Sequence, residues 1–523
     1  MKIDANSLPD DPEQLKQMLL ELQQAVAEKD RELAQKDDLI TEQAQQINQL
    51  IERYELAKRK QFGKSSEKLP GAGETFNEAE EILDEADKAL LVEVDDKPAT
   101  PVKRQPKRKP LPKELPRKVI TIDLSTDEQV CGCCRSKLHK IGETRSEKLE
   151  FVPAHIKVIE TIRPKYACQQ CEQSGTTTQV KIAPMPPAPI PKGIATASLL
   201  SQLITGKYQY GLPLYRQEQI FNDYGISLSR QTMSDWLIRC SELLAPLYDE
   251  LKTHLLKQGV IHADETPLKV INEEKSTSYM WIYCCGEDKP SSNKMRNIVL
   301  FDYQNSRAAQ CPISFLNGYT NYLQVDGYIA YEKTSAILAG CIAHARRKFI
   351  EAKTAQGKSK TGKADVILSL IGKLYGIEAN IKTKSVAEKY QARQEKSNPL
   401  IDKIHQWVKE NKEKIPPKSK LGEAITYWHN QAHKLETYLS DGRINIDNNR
   451  AERAVKPFVI GRKNWLFSNT ARGATASAIL YSFIETARAN GLLVDSYLQT
   501  CLDELAKKPD SLEYLLPWNI KQG

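Results

Sequence analysis

The chain has 523 residues and a formal net charge of +8, length enough for about three domains. No apolar run reaches the ~18 residues of a membrane span, and the opening MKIDANSLPDDPEQ lacks the apolar core of a secretion signal. Without such a signal, the eleven cysteines point to a cytoplasmic protein whose paired cysteines hold metal rather than form disulfides.

Residues 1–60 read as a helical arm. Leu19, Val26, Leu33, Ile40, Ile47 and Tyr54 recur every seven residues from 13 onward. Leu15, Leu22 and Leu50 supply part of a second seam, which Lys29, Lys36 and Gln43 interrupt. That period predicts a coiled coil and a homo-oligomer; the alternative is an amphipathic helix packed on its own chain. Residues 61–118 are a charged linker: ten acids and one lysine over 74–96, then eight basic residues and one acid over 103–118. The basic stretch suits a polyanion, or is simply a solvated linker.

Residues 119–190 hold two CxxC pairs, Cys131–Cys134 and Cys168–Cys171, around a predicted strand pair in TRSEKLEFVPAHIKVIETIRPKYAC. Four thiolates so spaced predict a zinc-ribbon-like module with a structural Zn²⁺. Cys133, Arg135 and Glu172 complicate the knuckles. Residues 191–254 predict three helices, the last capped by Ser229. Arg230, Gln231, Thr232 and Ser234 at its start fit a helix-turn-helix that contacts phosphates and base edges; an ordinary three-helix unit is the other reading. Leu228, Met233, Trp236 and Leu237 fall on its packed side.

Residues 255–354 predict strands VIHAD, SYMWIYCC, NIVLFDY and YLQVD, then a strand running into a helix in LAGCIAHARRKFIEAK. Residues 355–440 predict a helical insertion, 441–490 the return to the same core, and 491–523 a helical tail. Three acids dominate this half. Asp264 and Asp326 each end an apolar run. Glu452 sits in NIDNNRAERAVKPFVIGRKNWLF, read as a short helix, capped by Asp447 and ended by Pro457, followed by a basic loop. Two strand-end aspartates and a later helical glutamate are how an RNase H-like fold gathers ligands for two Mg²⁺ or Mn²⁺ ions. Such a pair, about 3.5–4 Å apart, supports in-line attack on a phosphodiester. The expected fold is multidomain, α+β and α/β: an RNase H-like catalytic core with a helical insertion, preceded by coiled coil, zinc ribbon and helix-turn-helix.

Around these acids stand candidate DNA contacts. His344, Arg346, Arg347 and Lys348 lie in CIAHARRKF; Lys456, Arg462, Lys463, Asn464 and Trp465 follow Glu452. Charge and stacking would grip a DNA end, although Lys456 also pairs with Glu452 at i,i+4 and Trp465 also reads as structural. His262 shares the strand face of Asp264 and reads equally as a ligand or as a satisfied core histidine.

The segments HADET, LQVDGYIAYEK, AGCIAHARRKF, DNNRAERAVKPFVIGRKNWLFSNTARGATASA and FGKSSEKL together resemble bacterial transposases of the insertion sequence sixty-six family. The resemblance implies a DDE transposase that binds the terminal inverted repeats of its element, cleaves DNA and joins 3′ ends to target DNA. It implies catalytic roles for Asp264, Asp326 and Glu452, and two small accessory proteins as partners. It places the protein in the bacterial cytoplasm, on the nucleoid when bound to DNA. The chain departs from the family pattern at Ile342, where tryptophan is usual, at Lys456, where arginine is usual, and in the knuckle CGCCRSK. Two other functions compete: a catalytically silent DNA-binding regulator, which intact acids argue against, and an RNase H-like nuclease, which has less need of sequence-reading modules.

Overall fold

The computed structural model describes residues 156–166 and 181–520, apart from 276, 289, 291–295 and 356–361, together with scattered positions between 11 and 50. The linker, the four candidate zinc cysteines and most of the seven-residue repeat lie outside the described residues. The chain divides into two units, residues 94–184 and the remainder.

In the smaller unit, β1 (Lys165–Tyr166) pairs antiparallel with β2 (Lys181–Ile182). The expected strand pair is not what forms among the described residues, because Ile156–Pro164 carries no strand. Val158, Ile159 and Ile162 are exposed, so no buried face rewards pairing there. In the larger unit the described positions between 13 and 50 are helical. Leu20, Val26, Ile47 and Leu50 are all exposed on that helix.

Three helices follow: α1 (Ala197–Tyr208), α2 (Leu214–Asp223) and α3 (Arg230–Leu256). Thr196 and Ser229 cap α1 and α3 by accepting backbone N–H bonds from Leu199 and Thr232. Gly225 turns the chain between α2 and α3 at φ +76°. The third helix runs beyond its expected end. Leu244, Leu247, Leu251 and Leu255 keep the helical spacing and are buried, so the apolar stripe carries it past Pro246.

The core is a five-stranded mixed sheet in the order β5-β4-β3-β6-β7, from β3 (Val260–Leu268), β4 (Ser278–Cys285), β5 (Ile298–Gln304), β6 (Tyr322–Gln324) and β7 (Ile337–Ala339). The first three pair antiparallel; β6 and β7 run parallel to β3. Strands β4 and β5 are almost continuously apolar, as strands covered on both faces must be. A short α4 (Gln310–Phe315) lies between β5 and β6, and α5 (Ile342–Ala355) follows β7.

Four helices come next, α6 (Lys363–Ile381), α7 (Val386–Ala392), α8 (Asn398–Lys412) and α9 (Lys420–Glu436). Of these, α6, α8 and α9 share a separate core with α5, built on Ile371, Ile404, Trp428 and Phe349. The chain returns as α10 (Asn449–Trp465), α11 (Ala471–Ala489) and α12 (Val494–Ala506). In α11, Ser482 and Thr486 accept the N–H groups of Phe301 and Val299, which closes the outer edge of β5. No helix of the described residues is long and apolar enough to cross a membrane.

Candidate metal centre

The acids reach one place through strand pairing. The parallel register of β3 with β6 ends at His262↔Gln324. Two residues further on, Asp264 and Asp326 stand side by side at the point where the two strands part. Asp264 is therefore not at a strand end, as expected, but in mid-strand: β3 continues to Leu268 because Glu265–Leu268 still pair with β4. Asp326 starts a tight turn, its Oδ1 accepting the Tyr328 N–H at 2.8 Å. Gly327 lets the turn pass close to α9, since a Cβ there would stand 3.0 Å from the Tyr427 ring.

Glu452 arrives on the first turn of α10, which packs on β3 and β4. Asn448 fixes the start of that helix. Its Nδ2 donates to Ala263 O (2.8 Å), its Oδ1 meets His262 Nδ1 (3.1 Å), and its N–H points at Cys341 Sγ (3.1 Å). Gln324 adds a bond to Asn445 O at 2.6 Å. The expected Asp447 cap is partly realised, with Asp447 Oδ1 accepting the Asn449 N–H. Pro457 does not end the helix as expected. Phe458 and Val459 beyond it are buried, and their packing outweighs the one backbone bond proline removes. The residues Arg462–Trp465, expected in a loop, thus form its last turn.

Electrostatics tie the three acids together. Burial, then the charges of Glu265, Asp326 and Glu452, push the Asp264 carboxyl well above the usual carboxylate range. Burial pushes Glu452 up to about 7; Asp447 and Asp326 add to that, while Arg347 and Arg453 oppose it. Glu452 Oε1 is buried and accepts no hydrogen bond. A buried glutamate oxygen without a donor, close enough to Asp264 for each charge to disfavour the other, is the kind of hard-oxygen setting a divalent cation satisfies. The residues present therefore fit such ions.

Glu265, which sequence reasoning passed over, lies on the other face of β3 from its neighbour Asp264. It accepts Arg307 (2.5 and 2.9 Å) and the Tyr331 hydroxyl (2.6 Å), so its oxygens are taken. Its place beside Asp264 in HADET was the only signal. His262 is the core histidine of the two readings: it is buried on Asn448, and burial lowers it to about 4.

The candidate DNA contacts divide. His344 stands against Glu452, Nδ1 to Oε1 at 3.6 Å, rather than facing outward; burial and then Arg347 lower it to about 4. Arg346, Arg347 and Lys456 are half-buried. Arg462 turns back on its own core, donating to Pro267 O and to Thr266 Oγ1. Trp465 lies edge-on to Tyr208 (6.2 Å) and tilted against Tyr481 (6.0 Å). Lys463 and Asn464 are exposed, and Asn464 crowds Gly211 of the α1–α2 connection. On α3, Arg230 pairs with Glu218 of α2 (3.1 Å), Gln231 is exposed, Thr232 meets Ser229, and Ser234 is half-buried.

Comparison with known proteins places this arrangement. The model described as the transposase IS66 family matches residues 192–476, and the IS66 C-terminal element matches 482–518. The zinc-finger binding domain of transposase IS66 matches residues 128–172, and transposase C of IS166 homeodomain matches 49–120. Two uncharacterized proteins of Sinorhizobium fredii (strain NBRC 101917 / NGR234) are similar. The first, y4jD, is 35% identical over 427 residues, which is 79% of this chain and 81% of that protein. The second, y4qI, is 31% identical over 556 residues, which is 100% of this chain and 99% of that protein. No solved structure matches. With a family match spanning more than half of its length, the chain belongs to the IS66 transposase family.

Proposed function

We propose that this chain is a DDE transposase that binds the terminal inverted repeats of its insertion sequence, cleaves DNA and transfers the 3′ ends to target DNA. The observation that carries the reading is the approach of the three acids where β3 and β6 part: the charges of Asp326 and Glu452 raise Asp264, and the charge of Asp326 raises Glu452. The strand order supports an RNase H-like core. Asp264, Asp326 and Glu452 would hold two Mg²⁺ or Mn²⁺ ions, which when bound activate the attacking oxygen and stabilise the leaving one.

The remaining work falls to the protein. Asn448 and Gln324 hold the glutamate's helix to the sheet, so the carboxylates keep a common focus. Arg347 supplies the positive charge that most offsets the burial of Glu452. Lys456 and Lys463 offer cations along α10 for the phosphates of a DNA end. The start of α3 is the helix-turn-helix reader, with Gln231 open for base edges. The exposed leucines and isoleucine of the arm favour a coiled-coil homo-oligomer. A structural Zn²⁺ on Cys131, Cys134, Cys168 and Cys171 fits the zinc-finger match. The activity implies work on the bacterial nucleoid, with the element's two accessory proteins as partners.

The test is nicking of a duplex carrying the element's terminal repeat, with and without Mg²⁺. Asp326→Asn should lower the rate by about 10³-fold or more while leaving repeat binding intact. Equal nicking by wild type and variant would refute the assignment.

A further inference from the structure

One cluster overlaps the acids through Glu452 and adds two side chains, Cys341 and His344, that the proposed reaction does not use. Cys341 directly precedes α5, His344 lies in its first turn, and Glu452 lies in the first turn of α10. One ligand atom from each of the three lies within 4.8 Å of the others. Cys341 and Glu452 are buried, and the His344 side chain is 23% exposed. Two of the three donors are unspent: His344 Nδ1 and Glu452 Oε1 are buried and make no hydrogen bond. The third, Cys341 Sγ, faces the N–H of Asn448, a bond that a metal-bound thiolate accepts readily.

We propose that Cys341, His344 and Glu452 form a site for a borderline transition-metal ion such as Zn²⁺, and that an ion held there stops DNA cleavage by tying down Glu452. The donor chemistry selects the ion. Magnesium takes oxygen ligands, whereas one sulfur, one nitrogen and one carboxylate oxygen are a zinc or cobalt set. The dimensions agree. At Zn–ligand lengths of ~2.0–2.3 Å, tetrahedral donors stand roughly 3.3–3.8 Å apart. The His344–Glu452 pair is already at 3.6 Å, and the sulfur needs a shift of about 1 Å or less to join it. Three protein ligands leave a fourth position for water, reached past the partly exposed histidine. Binding releases the Cys341 thiol proton to solvent.

Inhibition follows from sharing. Glu452 is claimed by both sites, and a dication on the Cys341 side draws it from the two aspartates. It also sets a further positive charge beside the magnesium positions. This regulatory half rests on the transposase reading; the binding half does not.

The experiment uses the full chain as wild type, Cys341→Ser and His344→Gln. Zinc per chain is counted after reconstitution and removal of excess; metal held by residues 128–172 is common to all three and cancels. Each variant should hold one equivalent less than wild type, or bind that equivalent on the order of 100-fold more weakly. Cobalt in place of zinc should show a thiolate charge-transfer band that Cys341→Ser reduces. Equal zinc content and affinity in all three proteins overturns the site. If Cys341→Ser does not fold, His344→Gln decides alone. Zinc is then titrated into the nicking reaction at fixed magnesium, each protein scored against its own zinc-free rate. Half-inhibition should need about tenfold more zinc, or beyond, in the variants; equal sensitivity overturns the regulatory half. A wild type that never nicks with magnesium sinks the transposase reading and leaves the zinc count standing.

Discussion

Charge is handled in opposite ways at α2–α3 and at β3–α10. On the first surface the charged side chains are exposed and already paired: Arg230 with Glu218, and Arg239 with Asp235 at 2.9 Å. Such pairs are worth about 0–1 kcal/mol, so trading a carboxylate for a phosphate costs little. At the second place Asp264 and Glu452 are carboxylates held among other carboxylates, partly or wholly out of water. That arrangement is expensive unless a cation arrives.

If the exposed cations do bind DNA, repeat affinity should fall by roughly 10³–10⁵ between 50 and 200 mM salt for 6–10 phosphate contacts. A flat response in a filter-binding or anisotropy titration would break the comparison at its first half. The combined change Arg230→Ala and Gln231→Ala should weaken repeat binding by about 1–3 kcal/mol, and should erode preference for the repeat over random duplex. Its nicking rate per bound complex should hold; loss of nicking without loss of binding would place these residues elsewhere in the mechanism.

The buried half is sharpened by two stability measurements. Asn448→Ala strands His262 and the Ala263 carbonyl, so it should cost about 1–3 kcal/mol in a denaturant melt. A neutral result would mean Asn448 does not pin α10. Glu452 titrates at about 7 in the folded chain against its ordinary 4.5. Below the lower value both states are neutral and burial costs nothing; above the higher value both are charged and the cost is full. In magnesium-free buffer the wild type should therefore lose on the order of 1 kcal/mol or more as pH rises from about 5 to about 8. Glu452→Gln should escape that loss, and a wild-type-to-variant gap that is constant with pH would argue against the buried carboxylate.

Much of this was legible as periodicity. The runs VIHAD, SYMWIYCC and NIVLFDY are apolar enough to be strands, and they are. Ser229 marked the start of α3. What escaped the sequence depends on contacts made at a distance. Nothing local says that α10 passes through Pro457, because the packing of Phe458 and Val459 decides it. Nothing local says that Arg462 turns inward, since Pro267 is remote in the chain; for Trp465 the structural reading was one of two, and its contacts with Tyr208 and Tyr481 favour it. His344 looked like one more cation in a basic helix; only the fold sets it on Glu452. The mid-strand position of Asp264 required the register with β4.

The order in which the acids occur has a consequence for synthesis. Asp264 and Asp326 are made before α6–α9, and Glu452 after them. Those intervening helices also touch the site's frame, through Tyr427 at Gly327 and through Tyr375 bonded to Asp447 at 3.2 Å. A polypeptide stopped short of Asn449 would lack Glu452 together with α10–α12, whose buried residues belong to the same core as the sheet. The third acid and the helices that complete the core therefore arrive in one stretch of chain.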